Sequence, residues 1–263
     1  GAIMPSFIVS TSYEQYIRVL CNFLEFPFEN AYCTRLDLDR YKLTEKEEER
    51  LRQLRKEMSA LPTLEIPRNA QVVTDFSTQH QKTLEKLNEI FWKDISSMKI
   101  GEIFSEVNPI GGYEKAEAVQ DITSRAQSDL SDVMYVGDSI TDVSAFRLIR
   151  EVGGLAISFN GNEYAIREAE IAALSENAVV TAILADSFNR LGKDGVFQLL
   201  DDWSHEALRT YGVSSSLRKR VSELYPELLP QVEAITPDNR ERLMKESGAF
   251  RKTVRGEAIG TLG

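Results

Sequence analysis

Apolar runs of strand length, each followed by residues at helical spacing, recur along this chain. Val133-Met134-Tyr135-Val136 suits a buried strand and runs into Gly137, and Val143 to Arg150 then reads as a helix. Ser6 to Tyr13 is a second short apolar run, ending in hydroxyl residues. The helical pattern after it places Tyr16, Val19, Leu20, Phe23 and Leu24 on one face. A third helix is expected from Gly111-Gly112-Tyr113-Glu114-Lys115-Ala116 onward, through Val119 and Ile122.

Between the second and third of these segments lies a long stretch of different character. Thr44 and Glu47 have the spacing of a capping box. The helix it opens, Glu45 to about Leu61, carries Leu51, Leu54 and Met58 at helical spacing, with charged residues on its other faces. Leu61 to Pro67 breaks that helix and suits a short extended piece, and Val72-Val73 suits another short strand. A second helix is expected from about Thr78 to Met98, with Leu84, Leu87, Phe91 and Ile95 along its stripe. Near the other end, Gly192-Lys193-Asp194-Gly195 marks a boundary. Beyond it Val196, Leu199, Leu200, Trp203 and Leu208 suggest one amphipathic helix. Leu217, Val221 and Leu224 suggest another before Pro226. The expected organisation is an α/β core over 1–42 and 111–190, an insertion over 43–110 and a helical extension over 191–263.

Composition adds constraints. With 263 residues the chain can bury a sizeable core, and 42% hydrophobic with 27% charged residues is ordinary for a globular protein. A net charge of −10 disfavours nucleic acid and anionic membrane surfaces as partners. Any anionic substrate must then be attracted by local features. Cys21 and Cys33 lack metal-ligand spacing and read as reduced, structural residues of a cytoplasmic protein. No apolar run approaches the length of a membrane span.

The candidate chemistry sits at the ends of the apolar runs. Gly137-Asp138-Ser139-Ile140-Thr141-Asp142 follows a strand with two aspartates four apart. In open α/β sheets ligands bind outside the carboxyl ends of the strands, and two carboxylates there suit Mg²⁺. The same turn also suits an N-cap by Asp138. Ser10, Thr11 and Ser12 at the end of a strand, before a helix, suit a phosphate cradle or an ordinary cap. Lys115 by itself reads as a solvated helix lysine. His80 and His205 have no visible catalytic partner and read as surface or packing residues. The segment Phe250 to Glu257 is locally basic, suited to a solvated helix face, an anionic ligand or a partner subunit.

In order and spacing, Ser10, Lys115, Asp138 and Asp142 resemble the haloacid dehalogenase superfamily of phosphohydrolases, in its phosphoserine phosphatase-like branch. Gly154-Leu155-Ala156-Ile157-Ser158-Phe159-Asn160-Gly161-Asn162, leading into an alanine-bearing helix, also looks like that family. The resemblance implies a Rossmann-like α/β core with a parallel sheet, and a mainly helical cap inserted between the second and third motifs. It implies Mg²⁺-dependent hydrolysis of a small phosphorylated metabolite through an aspartyl-phosphate. Asp138 would bind Mg²⁺, and Asp142 would hold it through water or orient its neighbours. Ser10 and Thr11 would hold the phosphoryl group. Lys115 would pair with the nucleophile and the phosphate, while Ser139 and Thr141 would help by hydrogen bonds.

One departure stands against these matches. The family's nucleophile is the first aspartate of an Asp-x-Asp at the end of the first core strand, before the second motif. Here only nine residues precede Ser10, and the chain's Asp-x-Asp, Asp37-Leu38-Asp39, follows it after a segment unlike a buried strand. Asp37 and Asp39 read as exposed or as local loop contacts. The expectation is that the nucleophile belongs to an amino-terminal segment absent from this chain. The alternative is a non-catalytic subunit or interaction protein on the same fold. The string Ser-Thr-Ser-Tyr-Glu-Gln-Tyr and the end of the chain are similar to archaeal family members labelled as an energy-converting hydrogenase subunit. That label implies a partner complex, or a homo-oligomer.

Overall fold

A computed structural model describes residues 4–64 and 72–256. The chain divides into two compact units, one built from Gly1–Cys33 with Ile110–Gly263, the other from Thr34–Pro109.

The larger unit is an α/β structure whose sheet has the order β3-β4-β5-β6. Its strands are β3 (Met134–Gly137), β4 (Leu155–Phe159), β5 (Ile171–Leu174) and β6 (Gln231–Ala234). The first three are parallel, with Met134 opposite Leu155 and Ile157 opposite Ile171. β6 closes the far edge antiparallel to β5. Alternation along the strands sends successive side chains to opposite faces. Leu155, Ile157, Ile171 and Ala173 pack on one face against Val180, Ile183, Leu184 and Leu199 of α8 (Val179–Asp201). On the other face the smaller Ala156 packs with Val119 of α5 (Tyr113–Ala126) and with Ala145, Phe146 and Ile149 of α6 (Val143–Glu151). Tyr135 shares that face and packs edge-on against Phe146.

The expected all-helical extension differs from what forms. Gly192, with φ of +68°, kinks α8 rather than ending it. Past α9 (His205–Thr210) and α10 (Ser215–Leu224) the chain returns as β6, so this region completes the sheet. It then forms α11 (Arg240–Arg255), whose Leu243 is buried with Ile166, Ala172 and Leu174.

β1 (Ile8–Tyr13) and β2 (Ala31–Thr34) form a separate two-stranded sheet, and α1 (Glu14–Phe23) follows β1. The face of α1 that is buried carries Ile17 and Cys21, packed with Cys33 and with Ile8, Phe26 and Phe28. Tyr16, Val19, Phe23 and Leu24 point outward instead, Phe23 being 84% exposed. Apolar residues form a broad face on this helix and the buried strip lies at one edge of it, so periodicity alone does not select the inner residues. Both cysteines are free and buried.

In the smaller unit, α2 (Glu45–Ser59) opens with the expected capping box. Thr44 Oγ1 accepts from the Glu47 amide, and Glu47 accepts from the Thr44 amide at 2.9 Å. Leu54 is fully buried, with Leu51 and Met58 beside it. Val73–Asp75 is a short 3₁₀ turn rather than a strand, its Asp75 side chain accepting from the Val72 amide. α3 (Thr78–Glu89) runs into a π-helical turn over Ile90–Ile95. Thr83, Ile90 and Ile95 face inward, the π-helical turn bringing Ile90 and Ile95 to one face, while Phe91 lies outside. α4 (Ile103–Glu106) completes the unit. Of the expected extended piece, 65–67 lies outside the described residues. Among the described residues no helix is long and apolar enough to cross a membrane.

Candidate active site

β3 delivers Gly137 and Asp138 to the carboxyl end of the parallel sheet, and a 3₁₀ turn over Ile140–Asp142 leads directly into α6. Asp142 folds back beneath its own turn. Its Oδ2 accepts from the amides of Asp138 and Ser139, both at 3.0 Å, and from Ser139 Oγ at 3.3 Å. Ser139 is thus the N-cap of the turn and Asp142 its reciprocal capping-box partner, and Asp138 does not cap it. Gly137 permits this, because a Cβ there would lie 2.5 Å from Asp142 Cγ.

The other oxygen of Asp142 is equally engaged. Lys115 Nζ donates to Oδ1 at 2.7 Å and the Tyr135 hydroxyl donates to it at 2.8 Å. Lys115 is 6% and Asp142 2% exposed. Burial opposes ionisation of Asp142, but the charge and hydrogen bond of Lys115, the Asp138 amide and Tyr135 outweigh it. The carboxyl is held below the usual aspartate range. Burial, and then the Asp142 charge, push the Tyr135 phenol well above its ordinary value. Lys115 is thus no solvated lysine: the first turn of α5 aims it into the core of the site.

Asp138 behaves differently. Its Oδ2 meets Arg251 at 2.5 Å and Arg255 at 2.8 Å, both from α11. Arg251 also donates to the carbonyls of Asp138 and Asn160, at 3.1 and 3.2 Å. Among the described residues Asp138 Oδ1 has no hydrogen-bond partner.

The turn is pinned from neighbouring elements. The Gly112 amide donates to the Thr141 carbonyl at 3.0 Å, joining the start of α5 to the aspartate turn. A Cβ built on Gly111 would meet Thr11 Cγ2 at 3.4 Å and Thr141 Cγ2 at 3.7 Å, so Thr11 of β1 stands at the same place. Ser139 and Thr141 hydroxyls are 3.0 Å apart. Ser10 lies within β1 rather than at its end, and its hydroxyl accepts from the Ser12 amide at 3.1 Å. The N-cap of α1 is Tyr13, so none of the three hydroxyl residues caps that helix. The loop after β4 is held by Asn160, which bridges to Ser175 in both directions at 2.8 and 3.0 Å. Asn162 caps α7 (Glu163–Glu168), and its amide donates to the Asp138 carbonyl at 2.9 Å.

The model of the haloacid dehalogenase-like hydrolases matches residues 6–182, which span β1, Lys115, both aspartates and β5. The chain belongs to the haloacid dehalogenase-like hydrolases. This hydrolase is also similar to the solved structure of gene product AF1437 from Archaeoglobus fulgidus. The two share 25% identity and a TM-score of 0.72, over 98% of this chain and 67% of that one. No curated protein matches the chain. The parallel sheet with helices on both faces is the Rossmann-like fold of this hydrolase family.

Sequence reasoning does not single out Tyr135, and it names Arg251 and Arg255 only as part of a locally basic segment, not as partners of Asp138. Alternation along β3 places Tyr135 on the α5 face, a signal that was available. Arg251 is 113 residues from Asp138, and no local pattern links them. His205 donates to the Tyr225 carbonyl at 2.8 Å, away from these groups. Asp37 Oδ1 accepts from the Asp39 amide at 3.1 Å, a local loop contact.

Proposed function

We propose that this hydrolase is a Mg²⁺-dependent phosphatase of small phosphate monoesters, acting through an aspartyl-phosphate whose aspartate comes from a segment outside this chain. The observation that carries the reading is the division of labour between two carboxylates. Asp142 is wholly spent on the Lys115, Tyr135 and amide lattice, whereas Asp138 stands at the carboxyl end of β3 with one oxygen open. The residues fit a hard cation: Mg²⁺ is commonly held by one or two carboxylates, with water and phosphate completing its shell. Asp138 is the ligand, and Asp142 orients the turn that presents it. When bound, the ion supplies positive charge where charge accumulates on the phosphoryl oxygens.

Among the described residues β3 pairs only with β4, an edge that suits a further strand carrying the nucleophile. β3 is hydrogen-bonded on its β4 side, and β1 belongs to a separate sheet. In the proposed reaction a carboxylate oxygen attacks phosphorus, the P–O bond to the alcohol breaks, and the alcohol leaves with a proton. Water then cleaves the aspartyl-phosphate to aspartate and inorganic phosphate. Lys115, fixed by Asp142, offsets negative charge beside the nucleophile. The Ser10 hydroxyl and the Thr11 amide bind phosphoryl oxygens. The Thr34–Pro109 unit acts as a cap that selects substrate, and the protein works in the cytoplasm.

Membership of a hydrolase family favours this reading over a non-catalytic subunit. It is tested by assaying the natural full-length protein against a panel of phosphate monoesters with and without Mg²⁺. Release of phosphate that requires Mg²⁺ and is lost in Lys115→Ala supports it; no turnover of any monoester contradicts it.

A further inference from the structure

The residues that reach Asp138 form a single row on α11. Leu243, Ser247, Arg251 and Arg255 recur every fourth position, the spacing of one helix face. Leu243 is anchored in the core, and Ser247 Oγ donates to the Gly161 carbonyl at 2.6 Å. Arg251, 3% exposed, ties the Asp138 carboxylate to the carbonyls of Asp138 and Asn160. Arg255 adds a second guanidinium to the same oxygen. The helix therefore runs from an apolar anchor to two cations placed on the carboxylate that faces the reaction.

We propose that Arg251 and Arg255 hold Asp138 in competition with a divalent cation, so that cation binding and docking of the last turns of α11 oppose each other. The inference rests on the reading of Asp138 as a cation ligand. Both guanidinium groups lie on the same oxygen, Oδ2, of one carboxylate. A dication at Oδ1 is repelled by both at close range. It binds weakly while they remain and more tightly once they leave. Linkage makes the effect reciprocal: whatever the arginines cost the cation, the cation costs the docked helix. α11 is in this sense a latch over the cation position.

The test is Mn²⁺ binding to the full-length protein, followed by electron paramagnetic resonance of the free ion, with Mg²⁺ as competitor. Arg255→Gln is the primary variant, since Arg255 is partly exposed and its loss leaves Arg251 in place. The latch predicts Mn²⁺ affinity raised by about fivefold or more. It also predicts faster amide hydrogen exchange over residues 247–255 of the wild-type protein when Mn²⁺ saturates it. Asp138→Asn separates the two ideas. Affinity lost in Asp138→Asn but unchanged or lowered in Arg255→Gln overturns the latch and leaves Asp138 as a ligand. Wild-type affinity in Asp138→Asn overturns the ligand reading, and the latch with it.

Discussion

Lys115 and Asp142 meet at 2.7 Å with both side chains almost wholly out of water. Such a pair is weak evidence for net stability, because desolvation offsets much of its attraction. Its asymmetry is informative. Asp142 keeps Tyr135, Ser139 and two amides if the lysine is removed, whereas Lys115 loses its carboxylate partner if the aspartate is neutralised.

Asp142→Asn is therefore expected to destabilise the larger unit by about 3–5 kcal/mol, and Lys115→Met by clearly less. Urea unfolding followed by circular dichroism measures both. Equal losses in the two variants would contradict the asymmetry.

The same lattice sets a pH dependence with two limbs. The Asp142 carboxyl is depressed in the folded protein, so its contribution is present above the unfolded value of about 3.9 and is lost as pH falls through the folded one. The Tyr135 phenol is raised, so its contribution is complete below about pH 10 and declines as pH climbs beyond that. Tyr135→Phe should flatten the alkaline limb of stability relative to wild type and weaken the acid limb only in part, since Lys115 and the Asp138 amide still hold Asp142 low. Parallel alkaline profiles for the two proteins would show that this phenol is not the group responsible.

Gly137→Ala places a methyl group 2.5 Å from Asp142 Cγ, where the turn has no room to give. The expected cost is about 1–3 kcal/mol, the range for overpacking, together with loss of phosphatase activity as the aspartate turn shifts. Thermal unfolding and turnover should fall together; unchanged turnover at lowered stability would place the turn outside the reacting centre.

In the smaller unit, Thr44→Ala removes the side-chain half of the capping box on α2. A loss of about 1 kcal/mol is expected, seen as faster hydrogen exchange in the first turn of that helix. Exchange as slow as in wild type would mean that Glu47 alone holds the turn.

Much of this could be read from the chain because it was local. A strand of four residues, a glycine and two aspartates four apart describe β3 and its turn, and the Thr44 box announces α2. What escaped was set by partners distant in sequence or by apolar excess. Arg251 reaches Asp138 only because α11 packs through Leu243 beside β5, and nothing near Arg251 encodes that. On α1 the apolar face is broad, so packing against Ile8, Phe26, Phe28 and Cys33, not the pattern, chose Ile17 and Cys21. The π-helical turn after α3 brings Ile90 and Ile95, five apart, to one face, a spacing invisible to a search at 3.6 residues. Lys115 and Asp142 were candidates from their order along the chain, but their lattice with Tyr135 needed the packed strands.

The central claim is that Asp138 serves a Mg²⁺-dependent phosphatase. Phosphate release by the natural full-length protein, with Mg²⁺ titrated and Asp138→Asn compared with wild type, tests it most directly. The account predicts Mg²⁺-dependent release in wild type that falls by about a hundredfold or more in Asp138→Asn, the loss expected when charge stabilisation in the transition state is removed. Equal release by the two proteins would contradict it.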